Sequence, residues 1–391
     1  MRRSTERFLT THVGSLPRPP ELFAKLRARE NGEPYDAGAL ESMVRKSVDN
    51  IVKRQAEIGI DVVDDGEHSK SSFSAYTGRR LGGFSVVDEP SGHKTTTRDQ
   101  FAFPGAYEDH RAMCAARPLR QAMPRSRRVW ACTEPVRYIG HKDVQTDIDN
   151  LKAAMNGRSV EEGFITALSP NNVAMYYPNR YYKTDEEYYV ALADAMRDEN
   201  KAIVDAGFLV QIDDPRLATH YDRYPDLSIE DCRKFIAQQV EYINHSLRGI
   251  PADKVRFHTC YSTNVAPRAH DLELRHYVDL MLRINAGGYS FEAANPRHEH
   301  EWQVWEDCEL PDDKVLIPGV VSHCVALVEH PELVAQRIGR FAKLVGHDRV
   351  IASNDCGFAT SSAGDEVHPE VAWAKLRSLV EGARIASERR S

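Results

Sequence analysis

The chain has 391 residues, 41% of them hydrophobic and 28% charged, the balance of an ordinary globular protein rather than of a disordered or fibrous one. Its net charge of −7 gives no electrostatic reason to expect a nucleic-acid partner, and no apolar run reaches the ~18–20 residues that would cross a bilayer. The basic opening MRRSTERFLTTHVGS lacks the apolar core of a signal peptide, so a cytoplasmic protein is expected. The seven cysteines, Cys114, Cys132, Cys232, Cys260, Cys308, Cys324 and Cys356, are an odd number in a large chain, which argues against a disulfide framework.

In chain order, short apolar runs alternate with amphipathic segments. Strands are expected at Phe8–Val13, Ile60–Asp64, Phe164–Ala167, Phe208–Ile212, Val255–His258, Tyr289–Glu292, Val315–Pro318 and Val350–Ala352. The clearest helical patterns between them are Ala39–Ile58, Asp185–Ala206, Ile229–Leu247, Leu272–Ile284, Pro331–Val345 and Pro369–Ala386. Strand–helix alternation implies a parallel sheet, and eight strands without a glycine-rich phosphate loop after the first favour one α/β (β/α)₈ TIM barrel over residues 1–391. Residues 68–140 break the pattern. They are rich in Ser, Gly, Thr, Arg and Pro, with short alternating runs at Gly83–Val87 and Val129–Ile139, and read as an antiparallel insertion after the second strand, a lid or a dimer arm. Within it, Arg111 to Arg128 holds a cluster of arginines that reads as a solvated face or a contact between copies of the chain.

Barrels of this kind do chemistry at the C-terminal ends of their strands, where the loops converge on one mouth. Here every strand end carries polar groups: Gly14-Ser15-Leu16-Pro17-Arg18, Asp64-Asp65-Gly66-Glu67-His68, Ser169-Pro170-Asn171-Asn172, Asp213-Asp214-Pro215, His258-Thr259-Cys260, Glu292 with Asn295-Pro296-Arg297-His298, Ser322-His323, and Asn354-Asp355-Cys356-Gly357. His258 and Cys260 stand two apart in extended chain, which puts both side chains on one face. An imidazole and a thiolate together suit Zn²⁺. The pair alone is as compatible with a packed core. Cys356 and Glu292, on the same expected rim, complete a donor set that reads either as a closed structural zinc site or as one in which Glu292 is a labile ligand that a substrate thiol displaces.

These residues, in this order, resemble the zinc ligands of the cobalamin-independent methionine synthase family. Thr11-His12-Val13-Gly14-Ser15-Leu16-Pro17 is similar to that family's opening motif, and Asp65-Gly66-Glu67 and Gln211-Ile212-Asp213-Asp214-Pro215 to its second and fourth strand-end motifs. The resemblance covers nearly the whole chain apart from 68–140 and corresponds to the family's catalytic barrel alone. It implies that His258, Cys260, Glu292 and Cys356 bind zinc and that Ser15, Glu67 and Asp213 hold the amino-acid end of a homocysteine-like thiol. The implied partners are a small-molecule thiol and an alkyl donor.

Three departures bear on the donor. The nearest histidine after Pro318-Gly319-Val320 is His323, one place earlier than the family's proton donor. Ala359-Thr360-Ser361 stands where the family has a Lys-Thr-Arg run, and Asp213-Asp214-Pro215 where it has Asp-Glu-Pro. The run from Phe291 to Trp302 is similar instead to a branch that includes zinc enzymes joining epoxyalkanes to coenzyme M, in which Arg297 and Arg18 would hold an anionic tail. Two donor classes therefore stay open: a methyl donor such as 5-methyltetrahydrofolate, and an epoxide or other alkyl donor. His323, His298 and His68 are candidates for the acid that protonates the leaving atom. A porphyrinogen-decarboxylase-type lyase shares the barrel without the metal set, and a non-catalytic thiol- or metal-binding protein is the remaining class.

Overall fold

A computed structural model describes residues 1–87, 96–115, 129–263, 266–360 and 367–389. Its eight barrel strands are short and buried on both faces, which is why they read as apolar runs rather than as alternating patterns. They are β1 (Leu9–Thr10), β2 (Val62–Val63), β5 (Glu162–Leu168), β6 (Leu209–Asp213), β7 (Val255–His258), β8 (Gly288–Glu292), β9 (Val315–Val321) and β10 (Ile351–Asn354), and β3 (Leu81–Val87) and β4 (Val129–Tyr138) form a separate two-stranded ladder.

All seven ladders of the eight-stranded sheet are parallel, in the order β1-β10-β9-β8-β7-β6-β5-β2. The seam between β1 and β2 is joined by Asp61 N donating to Thr10 O at 3.1 Å and by Thr10 N donating to the Asp61 carboxylate at 2.8 Å. The sheet is therefore a nearly closed barrel wrapped by helices, the expected α/β architecture. Among the described residues no helix is long and apolar enough to cross a membrane.

Most helices follow the sequence pattern because their ends are capped. Ala37–Ile58 starts on the Asp36 side chain and ends at Gly59, whose φ of 92° only glycine adopts without strain. Pro331–Val345 and Pro369–Glu388 both carry proline in the first turn. The expected helix Leu272–Ile284 is absent. In its place are a 3₁₀ turn at Leu274–His276 and one helical turn at Val278–Met281. Tyr277 breaks the run at φ −145°, and the Tyr289 hydroxyl takes up the Leu282 and Ile284 carbonyls at 3.1 and 2.9 Å. The apolar periodicity there reported burial, not helix.

Segment 68–140 does contain an antiparallel ladder, with Leu81 opposite Tyr138 and Val87 opposite Val129. It also holds two helices that the sequence reading did not name, Arg98–Ala102 and Pro104–Ala115. These are fastened to the barrel loops. Asp99 Oδ1 accepts from Ala269 N and His270 N, Arg98 donates to the Tyr221 and Leu227 carbonyls, and the Tyr107 hydroxyl donates to Pro267 O. Of the arginine cluster Arg111–Arg128, everything beyond Ala115 lies outside the described residues.

Candidate functional site

β7 delivers His258 and Cys260, and the end of β10 delivers Cys356. Their donor atoms lie within 4.8 Å of one another and all three residues are buried. Cys356 Sγ donates to Cys260 Sγ at 3.3 Å. That contact, with burial, holds the Cys356 thiol well above its ordinary range. Ser290 Oγ, on β8, lies 3.2 Å from His258 Nδ1 and fixes the ring, while Nε2 is buried with no hydrogen-bond partner. Burial, then the nearby Arg256, pushes the His258 imidazole down to about 3, so it is neutral at physiological pH. A neutral imidazole with an orphaned nitrogen beside two touching thiols fits a thiophilic cation, which would take the unpaired nitrogen and replace the thiol protons.

The Cys356 loop is held from two sides. Asn354 Oδ1 accepts from Val13 N at 3.0 Å and its Nδ2 donates to Cys356 O at 2.5 Å, tying β10 to β1. On the other side Gly319 of β9 packs so closely that a Cβ there would fall 2.4 Å from Asp355 Cα.

Glu292, expected in the same donor set, sits in an adjoining group with His323 and Asp355, all buried and again within 4.8 Å of one another. Its carboxylate accepts from Tyr261 N at 2.7 Å and Asn295 Nδ2 at 2.8 Å, with Arg268 at 3.8 Å. The structure thus brings three of the four expected ligands together and engages the fourth elsewhere. Asp355, which the sequence reading quoted but did not assign, accepts from Ala293 N and Ala294 N through Oδ1 and leaves Oδ2 buried without a partner.

Ser15, Glu67 and Asp213 line the same cavity as the trio. Glu67 is in the left-handed region at φ 58°, a strained position for a side-chain-bearing residue. Lys70 Nζ donates to Thr166 Oγ1 at 2.8 Å and Thr166 Oγ1 donates to Glu67 Oε1 at 2.9 Å, so Oε1 is occupied while Oε2 has no hydrogen bond. Arg18 Nη2 stands 3.5 Å from that oxygen. Burial, then the Glu67 carboxylate, raises Asp213 well above the usual carboxylate range. Ser15 Oγ is also buried without a partner. Two neighbouring carboxyl groups and a hydroxyl without a partner have the chemistry to accept an ammonium group, whose charge would relieve the repulsion between the carboxylates.

The cavity has a volume of about 550 Å³. Its walls include Tyr176, Arg216, Thr219, Arg223 and Arg268 from the barrel loops, and Asp99 and Tyr107 from the insertion. None of these was picked out from the sequence. Arg216, Thr219 and Arg223 had a legible signal, since spacings of three and seven repeat along one helix face.

The other expected residues are placed outside the cavity wall. His298 is clamped between Asp271 at 3.1 Å and Glu301 at 3.0 Å and stacked on Tyr261. Burial opposes its charge, but the two carboxylates prevail and raise it to about 9. His68 is buried behind the rim, with Nδ1 2.7 Å from Ser47 Oγ, and burial, then Arg18, takes it down to about 3. Arg18 donates to the Glu67 and Ala359 carbonyls, and Arg297 is 39% exposed beside Asp271. His323 alone among the three candidate acids has both ring nitrogens unbonded, and burial lowers its pKa.

The model of the cobalamin-independent synthase catalytic domain matches residues 8–129 and 138–384. It runs through most of segment 68–140, which the sequence reading placed outside the resemblance. The methionine synthases of Saccharolobus islandicus and Saccharolobus solfataricus are each 25% identical, over 386 and 382 residues, covering 97% of this chain and 95% of theirs. In structure the chain is similar to a B12-independent methionine synthase from Shewanella sp. W3-18-1 in complex with selenomethionine, with a TM-score of 0.71 and 18% identity over 98% of this chain and 99% of that one. A second structure, from Listeria monocytogenes, gives a TM-score of 0.66 and 19% identity over 97% and 98%.

Proposed function

The chain belongs to the cobalamin-independent synthase family through its catalytic domain, and on that premise we propose that it is a zinc-dependent S-methyltransferase acting on a homocysteine-like thiol, with a methyl donor such as 5-methyltetrahydrofolate. The observation that carries the reading is that the His258–Cys260–Cys356 trio and the Glu67–Asp213–Ser15 receptor line one cavity. A thiol bearing an α-amino group can reach both.

Zinc held by His258, Cys260 and Cys356, with Glu292 as the exchangeable fourth ligand, would supply the charge that keeps the substrate sulfur deprotonated near neutral pH. The residues of the chain do the rest. Glu67, Asp213 and Ser15 bind the ammonium and fix the direction of the sulfur. Asp99 and Tyr107, from the insertion, form part of the cavity wall. In the transfer an S–CH₃ bond forms and the donor's CH₃–N bond breaks. Its electron pair stays on the nitrogen, which takes a proton. His323, outside the cavity wall beside Glu292, is the candidate relay for that proton: its nitrogens are unbonded, whereas His298 has both occupied and His68 has Nδ1 engaged by Ser47.

A second reading, addition of the thiol to an epoxide or other alkyl donor, is favoured by two features of the sequence. The run from Phe291 to Trp302 is similar to the branch that joins epoxyalkanes to coenzyme M, and Ala359-Thr360-Ser361 stands where the folate enzymes carry a Lys-Thr-Arg run. The test is a donor screen with L-homocysteine and zinc-loaded protein. Methionine formed from methyltetrahydrofolates supports the first reading. Thioether formed from small epoxides alone supports the second.

A further inference from the structure

Five arginines are buried among the described residues: Arg18, Arg80, Arg216, Arg256 and Arg337. Four are satisfied. Arg80 pairs with Asp147 and Glu199, Arg337 with Glu299 and the Val320 carbonyl, Arg256 with Thr11 and the His12 carbonyl, and Arg18 with the Glu67 and Ala359 carbonyls. Arg216 is the exception. It is 6% exposed, and its Nε and Nη1 are buried without a hydrogen-bond partner. Arg223, on the same face of the Pro215–Arg223 helix, likewise has a buried Nε without a partner. The carboxylates close by are engaged elsewhere. Asp214 Oδ1 caps the helix through Arg216 N and Leu217 N, and Asp222 Oδ1 accepts from Asp99 N at 2.9 Å.

Glu67, Asp99, Asp213 and Asp222 line the same cavity, so negative charge is present there; what is unmet is the hydrogen-bonding capacity of the buried Arg216 fork, and open guanidinium donors are costly unless the oxygens of an anion complete them. The charge of both arginines is felt locally: burial, then Arg216 and Arg223, drives the His220 imidazole down to about 3. Arg216 stands one turn from the barrel rim, next to Asp213 and Pro215, while the far end of the helix meets the insertion, where Arg98 donates to Tyr221 O. Seven residues of helix separate the two arginines by about 10 Å along the axis. The cationic face therefore runs along the cavity wall from the Asp213 end of the helix towards the insertion.

We propose that Arg216 and Arg223, with Thr219 between them, form an anion-binding subsite that holds a carboxylate, sulfonate or phosphate group of a substrate occupying the cavity. The planar guanidinium fork of Arg216 takes two oxygens of such a group side by side. This deepens the function proposed above and rests on it for the choice of organic probes. The anionic group belongs either to the alkyl donor or to the amino-acid thiol itself.

The test is calorimetric titration of zinc-loaded wild-type protein, Arg216→Gln, Arg223→Gln and Arg216→Lys. The probes are inorganic sulfate, L-homocysteine, 3-aminopropanethiol (the same thiol without a carboxylate), 5-methyltetrahydrofolate and the corresponding methylated pterin without glutamate. Sulfate binds wild type, and its Kd rises at least tenfold in Arg216→Gln and less in Arg216→Lys. A parallel loss confined to 5-methyltetrahydrofolate, sparing the pterin, assigns the anion to the donor. A loss confined to homocysteine, sparing 3-aminopropanethiol, assigns it to the thiol. Folding of the variants is checked by circular dichroism, and Arg223→Gln, at the more exposed position, carries the test if Arg216→Gln does not fold. The subsite is overturned if sulfate fails to bind wild type at tens of millimolar, or if folded variants bind every probe within twofold of wild type. Sulfate titration needs no turnover, so an inactive protein that still binds sulfate through Arg216 would overturn the methyltransferase reading and leave the subsite standing.

Discussion

Replacing Gly319 by alanine is the mildest change that should damage the proposed metal centre without touching a proposed ligand. The new Cβ would stand 2.4 Å from Asp355 Cα and Oδ1 and 2.6 Å from Asp355 N. That is about 1 Å inside the 3.5–4.0 Å of ordinary carbon contact. The obstacle is backbone, so no rotamer change relieves it. The β10 end must move away from β9, which strains the Asp355 N–Val321 O bond of 2.9 Å and carries the neighbouring Cys356 with it. Overpacking of this kind costs about 1–3 kcal/mol. With an unfolding entropy of roughly 2.1 cal/mol/K per residue, a chain this long loses about 1–4 °C in Tm. The larger effect is on metal: displacement of a ligand by its support weakens binding by about 10–100-fold. Zinc affinity is read by competition with a chromophoric chelator. The control is Gly339→Ala, where a Cβ meets nothing within 4 Å in the middle of the Pro331–Val345 helix. It should gain about 0.5–1 kcal/mol and keep zinc affinity unchanged. Wild-type zinc affinity in folded Gly319→Ala would refute the reasoning.

Arg216→Met should stabilise the ligand-free protein. Burial, then Arg223, lowers Arg216 from 12.5 to about 10, which at 1.36 kcal/mol per unit is about 3 kcal/mol of disfavoured charge. Thermal melts should rise by about 2–4 °C, and a fall in Tm would contradict the account. Glu67→Gln and Asp213→Asn should raise KM for an amino thiol by about tenfold or more, yet leave the KM of a thiol without an ammonium within twofold; equal losses for both thiols would assign these carboxylates to structure instead. His298 gives a pH signature. Its folded pKa is raised from 6.5 to about 9, so its contribution of about 3 kcal/mol is fully present below pH 6.5 and is lost as pH rises through 9. Denaturant unfolding across that window should show the decline in wild type and a flatter profile in His298→Asn.

The His258–Cys260–Cys356 trio was legible because strand geometry puts His258 and Cys260 on one face and Cys356 ends a strand on the same expected rim; the family resemblance then joined the three as implied zinc ligands. Glu292 was legible as a partner but not in its present contacts. Its bonds to Tyr261 N and Asn295 come from loop conformation, which side-chain periodicity does not encode. The barrel was visible through its fully buried strands, although β1 and β2 are only two residues each, since Asp61 takes over ladder bonds at their seam. Leu272–Ile284 misled because Leu272, Leu274, Val278, Met281 and Ile284 are all buried on a non-helical path. The arginine face at Arg216 and Arg223 went unnoticed because its helix lies in a strand-to-helix loop. Its spacing was there to be read, but what singles it out is that the buried Arg216 nitrogens find no partner, a property of three dimensions.

The most direct test of the central claim is zinc K-edge absorption spectroscopy on purified protein, with and without L-homocysteine. The account predicts about one zinc per chain, bound by two sulfurs, one imidazole nitrogen and one lighter ligand. Homocysteine should replace the lighter ligand with a third sulfur, and Cys356→Ser should abolish the site. Zinc missing from carefully purified protein, or a shell that gains no sulfur from homocysteine, would contradict it.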